Sequence, residues 1–242
     1  MSRISVCMPT RNGENFLAEQ LRTILPQMAT DDELVVSDDS STDNTLDIVR
    51  EFRDPRIRIL AEQQFFSPIY NMEHALRAAR NPILAPADQD DIWLPEKLPL
   101  IRQWMQGKTD RPFLLMADGT IVDARGEPSG ETLYQRFSAR KGVWKNIYNN
   151  CYTGCSMAFT RPLLELALPF PKGIPMYDSW LGLLAELAGE VEFRPETIVC
   201  HRRHGGNASF HRNRPVQQVA WRAALIYYLA SRLLKRRGRS KR

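Results

Sequence analysis

No stretch of this 242-residue chain stays apolar for the ~18–20 residues that a bilayer-spanning helix requires, so no membrane span is expected. Cysteine is sparse. Cys7, Cys151, Cys155 and Cys200 contain no C-x-x-C pair, which argues against a disulfide framework and leaves buried thiols in a reducing cytoplasm as the expectation. The opening Ser2-Arg3 followed by Ile4-Ser5-Val6-Cys7-Met8 is too short and too interrupted for a secretion signal. There is no internal repeat and no linker, so a solenoid or a string of small modules is not indicated. Acid is missing from one end: His201 to Arg242 holds twelve Lys/Arg and no Asp/Glu, whereas the other 200 residues hold 21 basic and 28 acidic residues. The net charge of +5 therefore describes a basic tail on an acidic body, not a nucleic-acid-binding fold.

What is present is the composition of an ordinary globular protein, 43% apolar and 25% charged, long enough for one large α/β domain or two small ones. Ile4 to Met8 has the pattern of a strand stopped by Pro9, and Phe16, Leu17, Gln20, Leu21 and Ile24 have helical spacing up to Pro26. A second strand, Glu33 to Ser37, precedes a polar loop and a helix carrying Leu46, Ile48, Val49 and Phe52. A third strand, Ile57 to Leu60, precedes a helix from about Pro68 to Arg80, and Ile83 to Ala85 forms a fourth. This alternation predicts a doubly wound, mostly parallel sheet, which binds ligands beyond the C-terminal ends of its strands. Those ends carry Pro9-Thr10-Arg11-Asn12-Gly13, Asp38-Asp39 and Asp88-Gln89-Asp90, all on one rim.

The second half is less regular. Phe113 to Asp118 and Thr120 to Val122 form one strand, Arg125 to Ser138 a polar loop, and Val143, Trp144 and Ile147 lie on a helix. Thr153 to Phe159 is expected as a strand, its Gly154 marking either close backbone approach to a ligand or a bulge. Leu181 to Leu187 is a helix opened by Asp178-Ser179, and Thr197 to Cys200 is a late strand.

The chemistry is concentrated in Asp88-Gln89-Asp90-Asp91-Ile92-Trp93. Carboxylates crowded at a strand end repel each other and lose hydration, so they need a compensating cation. A divalent metal that keeps positions for phosphate oxygens fits this demand; a solvated acidic turn before the Pro95-Glu96-Lys97 helix start is the alternative.

Taken together, these stretches resemble a family 2 glycosyltransferase of GT-A fold over roughly residues 3 to 210. Val6-Cys7-Met8-Pro9-Thr10-Arg11-Asn12-Gly13 is similar to the family's first strand and P-x-Y-N-x loop, with Arg11 where an aromatic is common. Val36-Ser37-Asp38-Asp39-Ser40-Ser41-Thr42-Asp43 resembles its D-D-G-S-x-D loop, with Ser40 in place of the glycine. The acidic hexapeptide resembles the D-Q-D-D-I-W form of the D-x-D, Tyr177-Asp178-Ser179-Trp180 stands where relatives have H-D-W-W, and Arg203-His204-Gly205-Gly206-Asn207 resembles R-Q-H-G-x-N. These forms are most like bacterial rhamnosyltransferases of surface-polysaccharide assembly.

The resemblance implies an inverting, metal-dependent transfer from a nucleotide diphosphate sugar, best matched by dTDP-rhamnose, to an acceptor saccharide hydroxyl in O-antigen- or capsule-type synthesis. Galactosyl or N-acetylhexosaminyl transfer from a UDP-sugar is the alternative within the family. It implies Asp178 as general base, although a carboxylate at a helix start is also an ordinary cap. Asp90 and His204 would hold Mn²⁺ or Mg²⁺, with Asp88 beside them; a histidine hydrogen-bonded in a glycine loop is the other reading of His204. Pro9, Thr10, Asn12, Asp38 and Asp39 would line the nucleotide pocket, and Asp43 would cap the next helix. Trp93, Gly154 and Trp180 are candidates for the sugar or acceptor pocket, with core packing as the alternative for the tryptophans. The implied division is a nucleotide-sugar half to about 118, an acceptor half from about 119 to 210, and a tail over 211–242.

In that tail Trp221, Leu225, Tyr228 and Leu229 recur at helical spacing before seven Lys/Arg from Arg232 to Arg242. Such a helix either binds the anionic inner face of the cell membrane, where a lipid-linked acceptor would lie, or packs on the body with a free basic end. Two rival functions stay open: a sugar-phosphate nucleotidyltransferase, which should carry a Gly-rich first loop that Thr10-Arg11-Asn12-Gly13 lacks, and a non-catalytic polysaccharide- or RNA-binding protein.

Overall fold

The computed structural model describes residues 2–205 and 215–239. Its first half alternates β1 (Ile4–Thr10), α1 (Leu17–Ile24), β2 (Glu33–Asp38), α2 (Thr45–Glu51), β3 (Ile57–Leu60), α3 (Pro68–Ala78) and β4 (Ile83–Pro86). Then come β5 (Ile92–Trp93), α4 (Lys97–Trp104), β6 (Phe113–Val122), β7 (Pro128–Thr132), α5 (Leu133–Phe137) and α6 (Val143–Tyr148). The chain continues through β8 (Met157–Thr160), α7 (Arg161–Ala167), α8 (Tyr177–Ala188), β9 (Glu190–Arg202) and α9 (Pro215–Arg239).

One sheet runs through the protein in the order β3-β2-β1-β4-β8-β6-β9-β5, with β7 paired to β6. β3, β2, β1 and β4 are parallel neighbours, as are β6 and β9, whereas β8 is antiparallel to both β4 and β6. The uninterrupted apolar run of β1 follows from burial on both faces. Ile4, Val6 and Met8 pack in the layer of Leu17, Leu21 and Ile24 of α1 and Leu98 and Ile101 of α4. Cys7 points the other way, into the layer of Met72, Ala75 and Leu76 of α3 and Leu181 and Leu184 of α8. Each such fully buried aliphatic chain contributes roughly 1.5–3 kcal/mol, so this period-two division of side chains fixes the strand's register.

Several expectations need correction. β1 does not stop at Pro9 but runs to Thr10, with Pro9 opposite Ser37. Cys7 O accepts from Ala87 N on the β4 side and Thr10 O from Asp39 N on the β2 side, so odd residues face β4. Pairing with β4 ends at Cys7, so proline removes no ladder donor there. The expected loop over 125–138 contains β7 and α5, the helix opened by a reciprocal capping box between Thr132 and Gln135. The expected strand from Thr153 starts at Met157, after a 3-10 turn over Gly154–Ser156. Ile92-Trp93, for which no strand was expected, forms a short one antiparallel to Val199 and Cys200.

The apolar side of α9 packs on the body: Leu225 and Leu229 are buried in the layer of α8. Arg232 fastens its far end, donating to the carbonyls of Leu166, Leu168 and Pro169. No helix among the described residues is long and apolar enough to cross a membrane. Gly206 and Asn207 of the last motif, and the tail's side chains from Arg236 onward, lie outside the described residues.

Candidate active site

Parallel pairing brings the loops after β1, β2 and β4 to one rim, and side-chain amides tie them together. Gln89 is the main tie: its Oε1 accepts from Arg11 N (2.9 Å) and its Nε2 donates to Arg11 O (3.0 Å). Gly13 must stay bare for this, because a Cβ there would come within 2.5 Å of the Gln89 amide. Asn12, in the left-handed region at φ 48°, accepts from Thr42 N, while its own N donates to Ser41 Oγ. Its amide thus holds the loop after β2.

Asp38 is buried and accepts from the Thr10 hydroxyl (2.9 Å), Ser41 Oγ (2.6 Å) and Ser41 N (2.9 Å). Both it and the Thr10 hydroxyl therefore serve the loop. Asp39 accepts from Phe65 N, Phe66 N and Ser67 N, fixing the segment before α3. Ser40, where the family pattern has glycine, keeps the left-handed backbone at φ 56° and donates its hydroxyl to Gln63 O. Asp43 accepts from Thr45 N and the Thr45 hydroxyl at the start of α2.

A cavity of about 320 Å³ opens among these loops, lined by Pro9, Thr10, Arg11, Asp39, Asp88, Gln89, Asp90 and His201 on one side and Phe66, Met176 and Tyr177 on the other. Phe66 lies exposed at the mouth with the Arg11 guanidinium 4.8 Å from its ring centre. A wider depression, about 650 Å³, lies at the opposite rim around Asp32, Glu33, Arg56 and Arg58. Most of its carboxylates are already paired, Glu33 with Arg58, Asp32 with Arg102 and Asp54 with Arg56, so we assign it no chemistry.

The three clustered carboxylates have different surroundings. Burial pushes Asp88 up to about 8, helped by the charges of Asp91 and Asp90. Burial and Asp91 also raise Asp90, partly offset by the bond from its Oδ2 to His204 Nε2 (2.7 Å). Asp91 faces inward, where its Oδ1 accepts from Arg202 N (2.9 Å) and contacts His201 Nδ1 (3.1 Å). Burial opposes charge on His201, but Asp91 and the other acids hold it up at about 9. Lys97 is fully buried, donates to Cys155 O, and sits 3.8 Å over the Trp93 ring; burial lowers it to about 8. Arg202 donates to Asp90 O, Ala124 O and Glu19 Oε2. Part of the positive charge that the sequence assigned to a metal is therefore the protein's own.

The cavity residues Asp88 and Asp90, with His204 bonded to Asp90 behind them, still fit a divalent cation. Asp88 and Asp90 offer carboxylate oxygens and His204 an imidazole nitrogen already beside Asp90, and the raised carboxyls register charge that is not fully compensated. Asp88, Asp91, Cys155 and His201 also bring ligand atoms within 4.8 Å of one another. With Asp91 bonded to His201 and Lys97 acting on the same group, that set is better described as an ion-pair network.

Asp178 is not the cap of α8 but sits inside its first turn, after Met176 and Tyr177. Its Oδ1 accepts from Ser179 N (2.5 Å) and Asn150 Nδ2 (3.4 Å). Burial raises it to about 7 against the pull of the Ser179 and Gly154 N–H groups. Its charge is felt at Asp88, and Met176 and Tyr177, the two residues before it, wall the same cavity as Asp88 and Asp90. Asp178 thus lies within electrostatic reach of Asp88, one residue beyond the cavity wall.

Three expected pocket residues are elsewhere. Trp93 is buried under Lys97, and Trp180 is fully buried with Nε1 donating to Ala167 O, so neither can stack on a sugar. Gly154 admits the Tyr177 side chain, whose hydroxyl would lie 1.8 Å from an added Cβ. Gln89, Lys97, His201 and Arg202 were missed as site supports. The D-Q-D-D spelling was the available signal for Gln89; for the others sequence gave only residue type.

The family description "Glycosyl transferase family 2" matches residues 5–166. An Escherichia coli UDP-Glc:alpha-D-GlcNAc-diphosphoundecaprenol beta-1,3-glucosyltransferase is 29% identical over 186 residues, 76% of this chain and 70% of that protein. A Shigella flexneri dTDP-rhamnosyl transferase is 36% identical over 98 residues, covering 38% of this chain and 34% of that protein. S. aureus TarS, solved with UDP-GlcNAc, superposes with a TM-score of 0.71 at 20% identity, covering 97% of this chain and 67% of that one. The curled, mostly parallel sheet with flanking helices is the GT-A arrangement.

Proposed function

The chain belongs to glycosyl transferase family 2, and from that premise we propose that it moves a sugar from a nucleotide diphosphate to an acceptor hydroxyl with inversion. The observation that carries this reading is the cavity with Asp88 and Asp90 on its wall and, next in the chain to its wall residue Tyr177, a buried carboxyl poised near neutral pH. The acceptor oxygen bonds to the anomeric carbon, its proton passes to Asp178, and the bond to the diphosphate breaks with its electron pair leaving on the diphosphate. A base tuned to about 7 is half ionised at working pH and takes that proton without a large mismatch.

Asp90 and His204 are assigned to hold Mn²⁺ or Mg²⁺, with Asp88 alongside. When bound, such an ion supplies positive charge to the leaving diphosphate. Asp39 and the cavity side of Pro9 and Thr10 would hold the nucleotide, with the exposed Phe66 ring offering a face to the base. Asn12 and Asp38 support that wall from behind through Thr42 and Ser41. The nucleotide-sugar half to about 118 and the acceptor half beyond it are kept as a functional division only, since the boundary falls inside β6.

The process proposed is bacterial surface-polysaccharide synthesis, on a lipid-linked or polymeric acceptor, as the names of the relatives suggest. For the donor, the motif spellings and the 36% match favour dTDP-rhamnose, whereas the longer 29% match favours UDP-glucose. A panel of nucleotide sugars, read by released nucleoside diphosphate with and without Mn²⁺ or Mg²⁺, separates these donors. Turnover only with metal, on one donor, is expected. Release of pyrophosphate from a nucleoside triphosphate and a sugar phosphate would overturn the transferase reading.

A further inference from the structure

The 25 residues of α9 carry apolar side chains on two opposite faces. At about 100° per residue, Trp221, Leu225, Tyr228 and Leu229 fall on one side, and that side is taken up by the body. Leu225 and Leu229 are buried against α8, with Tyr228 packed beside them. Val219, Ala223, Ile226, Tyr227, Ala230 and Leu234 fall within about 100° of one another on the other side, and all six are exposed. The stripe that residue spacing offered to a membrane is therefore occupied within the protein, and a second apolar stripe is left facing out.

α6 extends this outer face. Arg222, at its border, donates to Tyr148 O (3.1 Å) and stacks 4.4 Å over the Tyr148 ring, which seats α6 beside α9. Trp144 stands one turn before Tyr148. Among the described residues, six of the eight large apolar side chains left exposed belong to these two helices: Trp144, Tyr148, Val219, Ile226, Tyr227 and Leu234, at 43–75% exposure. The charges along both segments have one sign. Leu133 to Asn150 carries four Lys/Arg and no acid, and Pro215 to Arg242 carries eight and no acid, on a chain whose first 200 residues are net acidic. The family match ends at residue 166 and does not extend to α9.

We propose that the joined outer faces of α6 and α9 dock the protein on an anionic lipid bilayer, with α9 lying flat among the headgroups. Ile226, Tyr227 and Leu234 enter the boundary of the acyl chains, and Trp144 and Tyr148 take the interfacial depth that amphipathic rings favour. The Lys/Arg at the borders reach lipid phosphates, their stems lying along the apolar strip. Charge decides between this occupant and a second copy of the chain. Pairing two such faces sets cation against cation, which weakens association, whereas an anionic surface gains from every Lys/Arg it meets. No residue of the patch lines the donor-side cavity, so the docking is separate from the transferase reading and goes beyond it.

The test is sedimentation of the full-length protein with vesicles of phosphatidylcholine alone and of equal parts phosphatidylcholine and phosphatidylglycerol. Binding to the mixed vesicles is expected, about tenfold or more weaker to the neutral ones and weakened by salt. Ile226→Gln with Tyr227→Gln, which keeps every charge, and separately Arg222→Gln with Lys235→Gln should each lower affinity about tenfold. Leu187→Gln, which changes an exposed apolar side chain of α8 outside the patch, should leave it unchanged. Acyl-brominated lipid should quench tryptophan fluorescence in the parent and much less in Trp144→Phe. Melting curves verify folding. Equal affinity in parent and patch variants, undiminished quenching in Trp144→Phe, or no binding by the parent overturns the assignment. A dimer in solution that Ile226→Gln with Tyr227→Gln dissociates makes a second copy the occupant and overturns it too. Absence of sugar transfer with vesicle binding intact counts against the proposed reaction and leaves this surface standing.

Discussion

Replacing Asp178 by Asn should remove activity and stabilise the protein, with a pH signature that identifies the cause. An ordinary aspartate titrates at 3.8, and burial holds Asp178 at about 7. At 1.36 kcal/mol per tenfold change in proton affinity, the ionised form costs the fold roughly 4 kcal/mol. The folded state binds this proton more tightly than the unfolded chain, so stability declines as pH rises from about 4 to 7 and is constant above that. Asn is neutral throughout and keeps a carbonyl oxygen for the Ser179 and Gly154 N–H groups. The variant should therefore melt on the order of 5–10 °C above the parent at pH 8, and the gap should close near pH 4. Transfer should drop by about 10²–10⁴, and the parent's kcat/KM should climb about tenfold per pH unit until about pH 7. Thermal melts across pH 4–8, paired with initial rates, measure all of this. A melting gap independent of pH, or a variant that still transfers sugar, would refute the burial-tuned base.

Asp90→Ala should abolish metal-dependent turnover, and added Mn²⁺ should no longer raise the melting temperature as it does in the parent. Arg202→Ala removes the clamp joining Asp90 O, Ala124 O and Glu19, a loss of about 3 kcal/mol by denaturant unfolding together with weakened Mn²⁺ affinity. Lysine should not restore it, because three separate acceptors need the guanidinium fork. Gly154→Ala drives a methyl into Tyr177, for a loss of about 1–3 kcal/mol in unfolding measurements, and adding Tyr177→Phe should recover part of it.

The alternating strands and helices up to β4, and the gathering of three polar loops on one rim, were legible in the residues. Period-two and period-3.6 patterns are local, and parallel pairing sends every strand end the same way. The hairpin and capped helix over 128–137 were missed although Thr132 and Gln135 spell a capping box, because β7 is an exposed edge strand with no apolar alternation.

By itself, the sequence determined the first half of the fold, the acidic edge at Asp88 and Asp90, and the position of Asp178 at the start of a helix. Only the tertiary structure decided which way each side chain faces. Trp93 and Trp180 turn inward, Asp91 pairs with His201, and α9 turns Leu225 toward α8 and Ile226 toward solvent. A helix with apolar residues on two sides has no local preference between them, and a buried carboxylate acquires its proton affinity from neighbours far away in the chain. Both are settled by packing between segments tens of residues apart, and 110 apart for Asp91 and His201, distances over which residue spacing carries no information.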